Sequence, residues 1–135
     1  MTSHEARNEL KSYRKLLDMR KKKNMRIEEL RTLLYRCPGS RYGNEIKSRN
    51  PYLREELIDK IDKAEQSYVQ SIAETVGTLE TIERKIEKLE ERHYKVLWDK
   101  YIEGKTYELI AVQQHYTYQW VRELEVQGVN QYAKL

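Results

Sequence analysis

The sequence predicts an all-α protein: a long antiparallel, coiled-coil-like helical hairpin followed by a cluster of short capped helices. Three observations predict it. Two prolines and five glycines in 135 residues leave few places to break a helix. Apolar residues recur at intervals of almost alternating threes and fours from Leu57 to Val96, the spacing at which one helix packs along another. Charged residues make up 36% of the chain and apolar ones 39%, a balance that suits long solvated helices better than a thick globular core.

The first helix is expected to begin near Thr2 or Ser3. Thr2 and Glu5 have capping-box spacing, in which hydroxyl and carboxylate satisfy backbone donors left unpaired at a helix start. Leu10, Tyr13, Leu17, Ile27, Leu30 and Leu34 follow at helical intervals, with a basic block of Arg20, Lys21, Lys22, Lys23 and Arg26 among them. Cys37-Pro38-Gly39 is expected to end the helix, since proline lacks an amide proton and disfavours helical geometry in the residue before it. Residues 37–50 read as a polar loop. Asn50-Pro51 restarts the chain as N-cap and first helical residue.

The seam that follows runs through Leu57, Ile61, Ala64, Tyr68, Ile72, Thr75, Leu79, Ile82, Ile86, Leu89, His93 and Val96. Residues 53–91 as one helix would extend about 58 Å at roughly 1.5 Å per residue. Gly77 is its weak point, costing about 1 kcal/mol relative to alanine, and a bend is allowed there. The first helix folds back on the second, and the hairpin can be extended by homodimerisation. A boundary at 91/92 then separates a hairpin for dimerisation or partner binding (1–91) from a C-terminal module (92–135). His93, on the seam, reads as a packed histidine rather than a ligand or base.

Charge is distributed unevenly. Residues 1–52 hold 14 Lys/Arg against 6 Asp/Glu, residues 53–91 hold 6 against 11, and residues 92–135 hold 6 against 5. A basic first third beside an acidic middle has two readings: mutual neutralisation across the helix pair, or a phosphate-binding patch.

From Arg92 the pattern changes to short helices separated by turn residues. Val96, Leu97, Tyr101 and Ile102 form an apolar face that stops at Glu103-Gly104, where glycine supplies a left-handed cap. Thr106 caps the next helix, with Leu109, Ile110 and Val112 as its expected apolar face. His115-Tyr116 makes a turn, and Thr117 caps a last helix with Val121 and Leu124 inward. A short helix, a tight turn and a second capped helix are the parts of a helix-turn-helix.

The string Tyr94-Lys95-Val96-Leu97-Trp98-Asp99-Lys100-Tyr101-Ile102-Glu103-Gly104-Lys105-Thr106-Tyr107-Glu108-Leu109-Ile110-Ala111 resembles the opening of sigma-factor region 4. Thr117 followed by Val121-Arg122 resembles the capped recognition helix of that module. With a helical part in front, the arrangement is similar to phage-encoded regulators of the RinA, ArpU and LtrC type. The resemblance spans residues 92–126, about a quarter of the chain. It implies a sigma region 4-like helix-turn-helix and a transcription activator of late genes in phages or mobile elements, bound to double-stranded DNA and acting with RNA polymerase.

On that reading the recognition helix offers Tyr118, Gln119, Arg122 and Glu123. Gln119 suits a bidentate pair with adenine and Arg122 with guanine. The corresponding sigma-factor positions are typically charged, and Tyr118 departs from that pattern. Arg122 and Glu123 also read as an ordinary exposed pair. Trp120, beside Val121 and Leu124, reads as packing or a dimer contact rather than a base contact. Lys105, Thr106 and Gln114 are candidate positioning residues at the phosphates, and the cap Thr117 is counted with the DNA-binding residues. Because residues 92–135 carry little net charge for a DNA binder, either dimerisation doubles the contacts or the Arg20–Arg26 block supplies accessory phosphate contacts.

Enzymatic chemistry has no support in the sequence. A Gly-rich phosphate loop and a nucleophile elbow are missing, and His4, His93 and His115 lack metal-ligand spacing with Cys37. No metal or cofactor is expected. A lone cysteine fits a reduced, cytoplasmic setting, and no apolar run approaches the roughly 20 residues a membrane helix needs. Two alternatives stand beside the regulator: a DNA-recognition subunit for phage packaging, like a terminase small subunit, and a coiled-coil adaptor for protein interaction.

Overall fold

Each apolar residue that the periodicity assigns to a seam is buried or half-buried. In the computed structural model, which describes residues 1–37 and 53–135, five α-helices follow one another and no strand occurs among the described residues. They are α1 (Ser3–Tyr35), α2 (Leu53–Glu87), α3 (Glu91–Leu97), α4 (Tyr107–Gln114) and α5 (Tyr118–Ala133); a π-helical turn, Trp98–Ile102, continues α3. The expected loop after Cys37 and the Asn50-Pro51 restart lie outside the described residues. No described helix is long and apolar enough to cross a membrane, and no described group of His, Cys, Asp and Glu could hold a metal ion.

The amide of Glu5 donates to the Thr2 hydroxyl, as the capping spacing predicts. α2 is continuous through Gly77 but stops at Glu87, four residues short of expectation. Neither glycine nor proline stands there. The chain instead tightens, with Lys88 N bonding Lys85 O and Leu89 N bonding Ile86 O, the short-range closure common at helix ends. His93 and Val96 therefore sit on α3 rather than on α2, and both are buried.

The chain divides into two compact units, residues 1–17 with 75–135 and residues 18–74. The first turns of α1 supply core residues to the C-terminal helices.

In the unit of residues 18–74, Leu30, Leu57 and Ile61 form a small core with Leu34, Leu53 and Ala64 against it. Arg20 donates to the Ile72 carbonyl, Lys23 to Ser67, and Arg31 pairs with Glu65 at 2.6 Å. Later positions on α1 meet earlier ones on α2, so the two segments run antiparallel. Of the basic block, Arg26 also pairs with the exposed Glu29 at 3.4 Å. Lys21 and Lys22 are exposed.

In the other unit Ala6, Leu10 and Tyr13 pack with Leu79, Ile82 and Ile86, and with Leu97, Tyr101, Val129 and Tyr132. Tyr13 donates to Glu83, and Lys85 pairs with Glu9 at 3.4 Å. A second cluster holds Val96, Ile110, Ala111, Val121 and Leu124, flanked by Tyr107 and Trp120.

Candidate nucleic-acid interface

The C-terminal half of the larger unit is built from caps. After α3 the π-helical turn closes with Glu103 N on Trp98 O and Lys105 N on Asp99 O. The wider turn carries Tyr101 inward, where it is buried. Gly104 then takes φ +73°, a region nearly free of cost only for glycine. The Arg14 guanidinium lies about 3.1 Å from where a Cβ would stand.

Thr106 accepts a hydrogen bond from Leu109 N at 3.2 Å and starts α4. His115 ends α4 in the left-handed region at φ 59°, ψ 38°, and Tyr116 N returns to Ala111 O at 2.9 Å. This is the chain reversal usually given to glycine. Thr117 accepts from Trp120 N at 3.1 Å and starts α5. Both threonines thus act as the spacing predicts.

One face of α5 is committed to the interior. Val121, Leu124, Glu125, Gly128, Val129 and Tyr132 are buried on it. Gly128 permits close approach to α3, since an added Cβ would meet Leu97 Cγ at 3.1 Å. Glu125 is the charged member of this face. Its oxygens accept from Arg7 at 3.2 and 3.1 Å and from the Tyr101 hydroxyl at 2.6 Å. The hydrogen bond to Glu125 raises the Arg7 pKa. Burial, followed by the same carboxylate, pushes the Tyr101 hydroxyl well above its ordinary value. His93 is packed, as expected, with Nε2 3.1 Å from Gln127 Oε1.

The opposite face of α5 carries Gln119, Arg122 and Glu123, all exposed. With Val126 and Gln127 they line a shallow depression of about 410 Å³. Tyr118 meets Tyr107 edge to face, ring centres 5.9 Å apart. The Arg122 guanidinium lies 5.9 Å from the Tyr107 ring centre and 6.0 Å from that of Tyr118. Both distances lie at the outer limit of a cation–π contact, so the guanidinium borders the two rings and stays exposed. Trp120 is half-buried against the second cluster, the packing role expected of it.

The remaining candidates are placed differently. Lys105 pairs with Glu103 at 2.9 Å and with Asp99 at 3.6 Å, and the Glu103 bond raises its pKa. Gln114 donates to Asp99 at 3.4 Å. Asp99 thus gathers both polar ends. Leu109 and Val112 are exposed, at 43% and 73%, and do not form the inner face of α4. Ile110 and Ala111 do. In a helix of two turns periodicity cannot select a face, and the turn at His115 rotates α4 so that Ala111 meets α5.

Two features escaped sequence reasoning. Tyr107 organises the outer face, edge to face with Tyr118 and with Lys100 Nζ 4.3 Å from its ring centre. Arg7, Lys11 and Arg14, at helical spacing on α1, line a cleft with Lys100, Tyr101 and Tyr107. The i, i+4, i+7 spacing of those three bases was a usable signal. Their opposition to Lys100 had none. No protein-family model matches this chain, and neither a curated protein nor a solved structure matches it.

Proposed function

We propose that the chain is a sequence-specific DNA-binding transcription regulator, with α4 and α5 acting as a sigma region 4-like helix-turn-helix and α5 as its recognition helix. One observation carries this reading. α5 is fixed by the Thr117 cap and a buried inner face, and it carries Gln119, Arg122 and Glu123 exposed on the outer face, with Arg122 beside the Tyr107 and Tyr118 rings. A helix so presented suits the major groove, where Gln119 would read adenine and Arg122 guanine. The exposed Leu109 and Val112 give α4 an apolar surface for protein. That supports the activator form of the reading, in which a phage or mobile-element regulator contacts RNA polymerase at late promoters.

Titration of a fluorescent mixed-sequence duplex tests the reading. Non-specific affinity with a dissociation constant of about 10⁻⁴–10⁻⁶ M near physiological salt is expected, tightening steeply as salt falls. Absence of binding even at low salt would contradict it.

A further inference from the structure

Four cations converge on one cleft of about 380 Å³ in the unit of residues 1–17 and 75–135: Arg7, Lys11 and Arg14 from α1, and Lys100 from the π-helical turn. Tyr101 and Tyr107 complete its lining. The cations differ in what they have left to give. Arg7 is satisfied by Glu125. Arg14 spends one donor on the Ile102 carbonyl at 3.0 Å and sits against Gly104. Lys11 is exposed, and neither it nor Lys100 has an anionic partner among the described residues.

Like charges gathered round a concave, partly desolvated surface raise the local potential and concentrate an anion there. A fork of fixed guanidinium groups with mobile ammonium groups is the donor set that phosphate oxygens take. Tyr107 is common to this cleft and to the outer face of α5, since its ring contacts both Lys100 and Arg122. Tyr107 therefore borders both the cleft and the surface assigned above to base reading. Residues 92–135 hold only 6 Lys/Arg against 5 Asp/Glu, so the module needs cations from elsewhere, and the first turns of α1 bring three.

We infer that this cleft is a phosphodiester-binding site, in which Lys11, Arg14 and Lys100 grip a backbone phosphate of the duplex whose bases face α5. The inference rests on the DNA-binding reading and adds a second contact to it. It also assigns to the beginning of α1 the task that the sequence suggested for Arg20–Arg26.

The test is the salt dependence of affinity for a mixed-sequence duplex, measured on the full chain and on a Lys11→Gln, Lys100→Gln double variant. Losing one phosphate contact lowers the slope of log affinity against log salt by about 1 and weakens binding to all sequences alike. A Lys11→Arg, Lys100→Arg variant should keep the wild-type slope. A Lys95→Gln, Lys134→Gln variant, equal in lost charge but outside the cleft, should do the same. Thermal melting checks that each variant is folded. Equal slopes for the wild type and the glutamine double variant would overturn the inference and leave base reading by α5 intact. Failure of the wild type to bind any duplex would overturn both. Inorganic phosphate raising the melting temperature of the wild type, but not of the double variant, together with equal slopes would assign the cleft to a free phosphate and overturn the backbone contact.

Discussion

Arg7 and Glu125, 118 positions apart in the chain, meet through two parallel hydrogen bonds, Nε to Oε1 at 3.2 Å and Nη2 to Oε2 at 3.1 Å. The Glu125 side chain is 4% exposed and that of Arg7 34%. The first turns of α1 are thereby fastened to the middle of α5 by a fork that matches carboxylate geometry. The pair is unequal. Removing Arg7 strands a carboxylate with only the Tyr101 hydroxyl, whereas a freed Arg7 can reach water.

Arg7→Ala should therefore cost stability, by about 2 kcal/mol once the exposure of Arg7 is discounted. Urea denaturation at neutral pH measures it. The loss should persist at high salt, because the carboxylate is screened by protein rather than by ions. A loss that vanishes at high salt would show that the pair behaves as a surface one.

The buried Tyr132 hydroxyl makes no hydrogen bond of good geometry among the described residues, although the Glu9 carboxylate lies near enough to act on it. Burial, with the Glu9 carboxylate near, raises its pKa. Tyr132→Phe removes an unsatisfied polar atom while keeping the ring that Lys85 Nζ approaches at 5.2 Å. It should stabilise the fold by about 1 kcal/mol, seen as a raised urea midpoint at unchanged slope.

The glycines divide by surroundings. A Cβ at Gly77 meets nothing within 4 Å, so Gly77→Ala should stabilise α2 by about 0.5–1 kcal/mol. A Cβ at Gly128 meets Leu97 at 3.1 and 3.2 Å and His93 at 3.4 Å, so Gly128→Ala should destabilise by about 1–3 kcal/mol through overpacking. Opposite shifts in melting temperature check the pair.

Tyr101 and Tyr132 both have pKa values raised above the ordinary 10.0. The folded state holds each proton more tightly than the unfolded state does. Their contribution is fully present below the unfolded value and is lost as pH rises from there through the folded one. Urea midpoints should fall above about pH 10, and Tyr132→Phe should make that fall shallower. An unchanged alkaline slope in the variant would contradict burial of the neutral phenol.

Local signals in this sequence read well, because caps and periodicity act within a few residues. Thr2, Thr106 and Thr117 cap as their spacing predicts, and Leu57, Ile61, Leu79, Ile82 and Ile86 are buried on the seam. Gly104 takes its left-handed turn. The end of α2 at Glu87 was not legible, since no glycine or proline marks it and the chain closes there by short-range hydrogen bonds. Nor was the allegiance of α1. Ala6, Leu10 and Tyr13 look like any helical stripe until α3 and α5 arrive to cover them. For the candidate site, Tyr118, Gln119, Arg122 and Glu123 stand outward as expected. Lys105 and Gln114 are drawn to Asp99, a carboxylate whose role depends on the π-helical turn. Glu125 illustrates the remaining gap, because a charged residue on an inner face reads as an error until Arg7 supplies its partner from the far end of the chain.

Base reading by α5 is tested by selecting bound sequences from a random duplex library with the wild type and with a Gln119→Ala, Arg122→Ala double variant. The wild type should select a defined motif that relaxes in the variant, each lost base contact costing about 1–3 kcal/mol of discrimination. No enrichment by the wild type, or an identical motif from the variant, would contradict it.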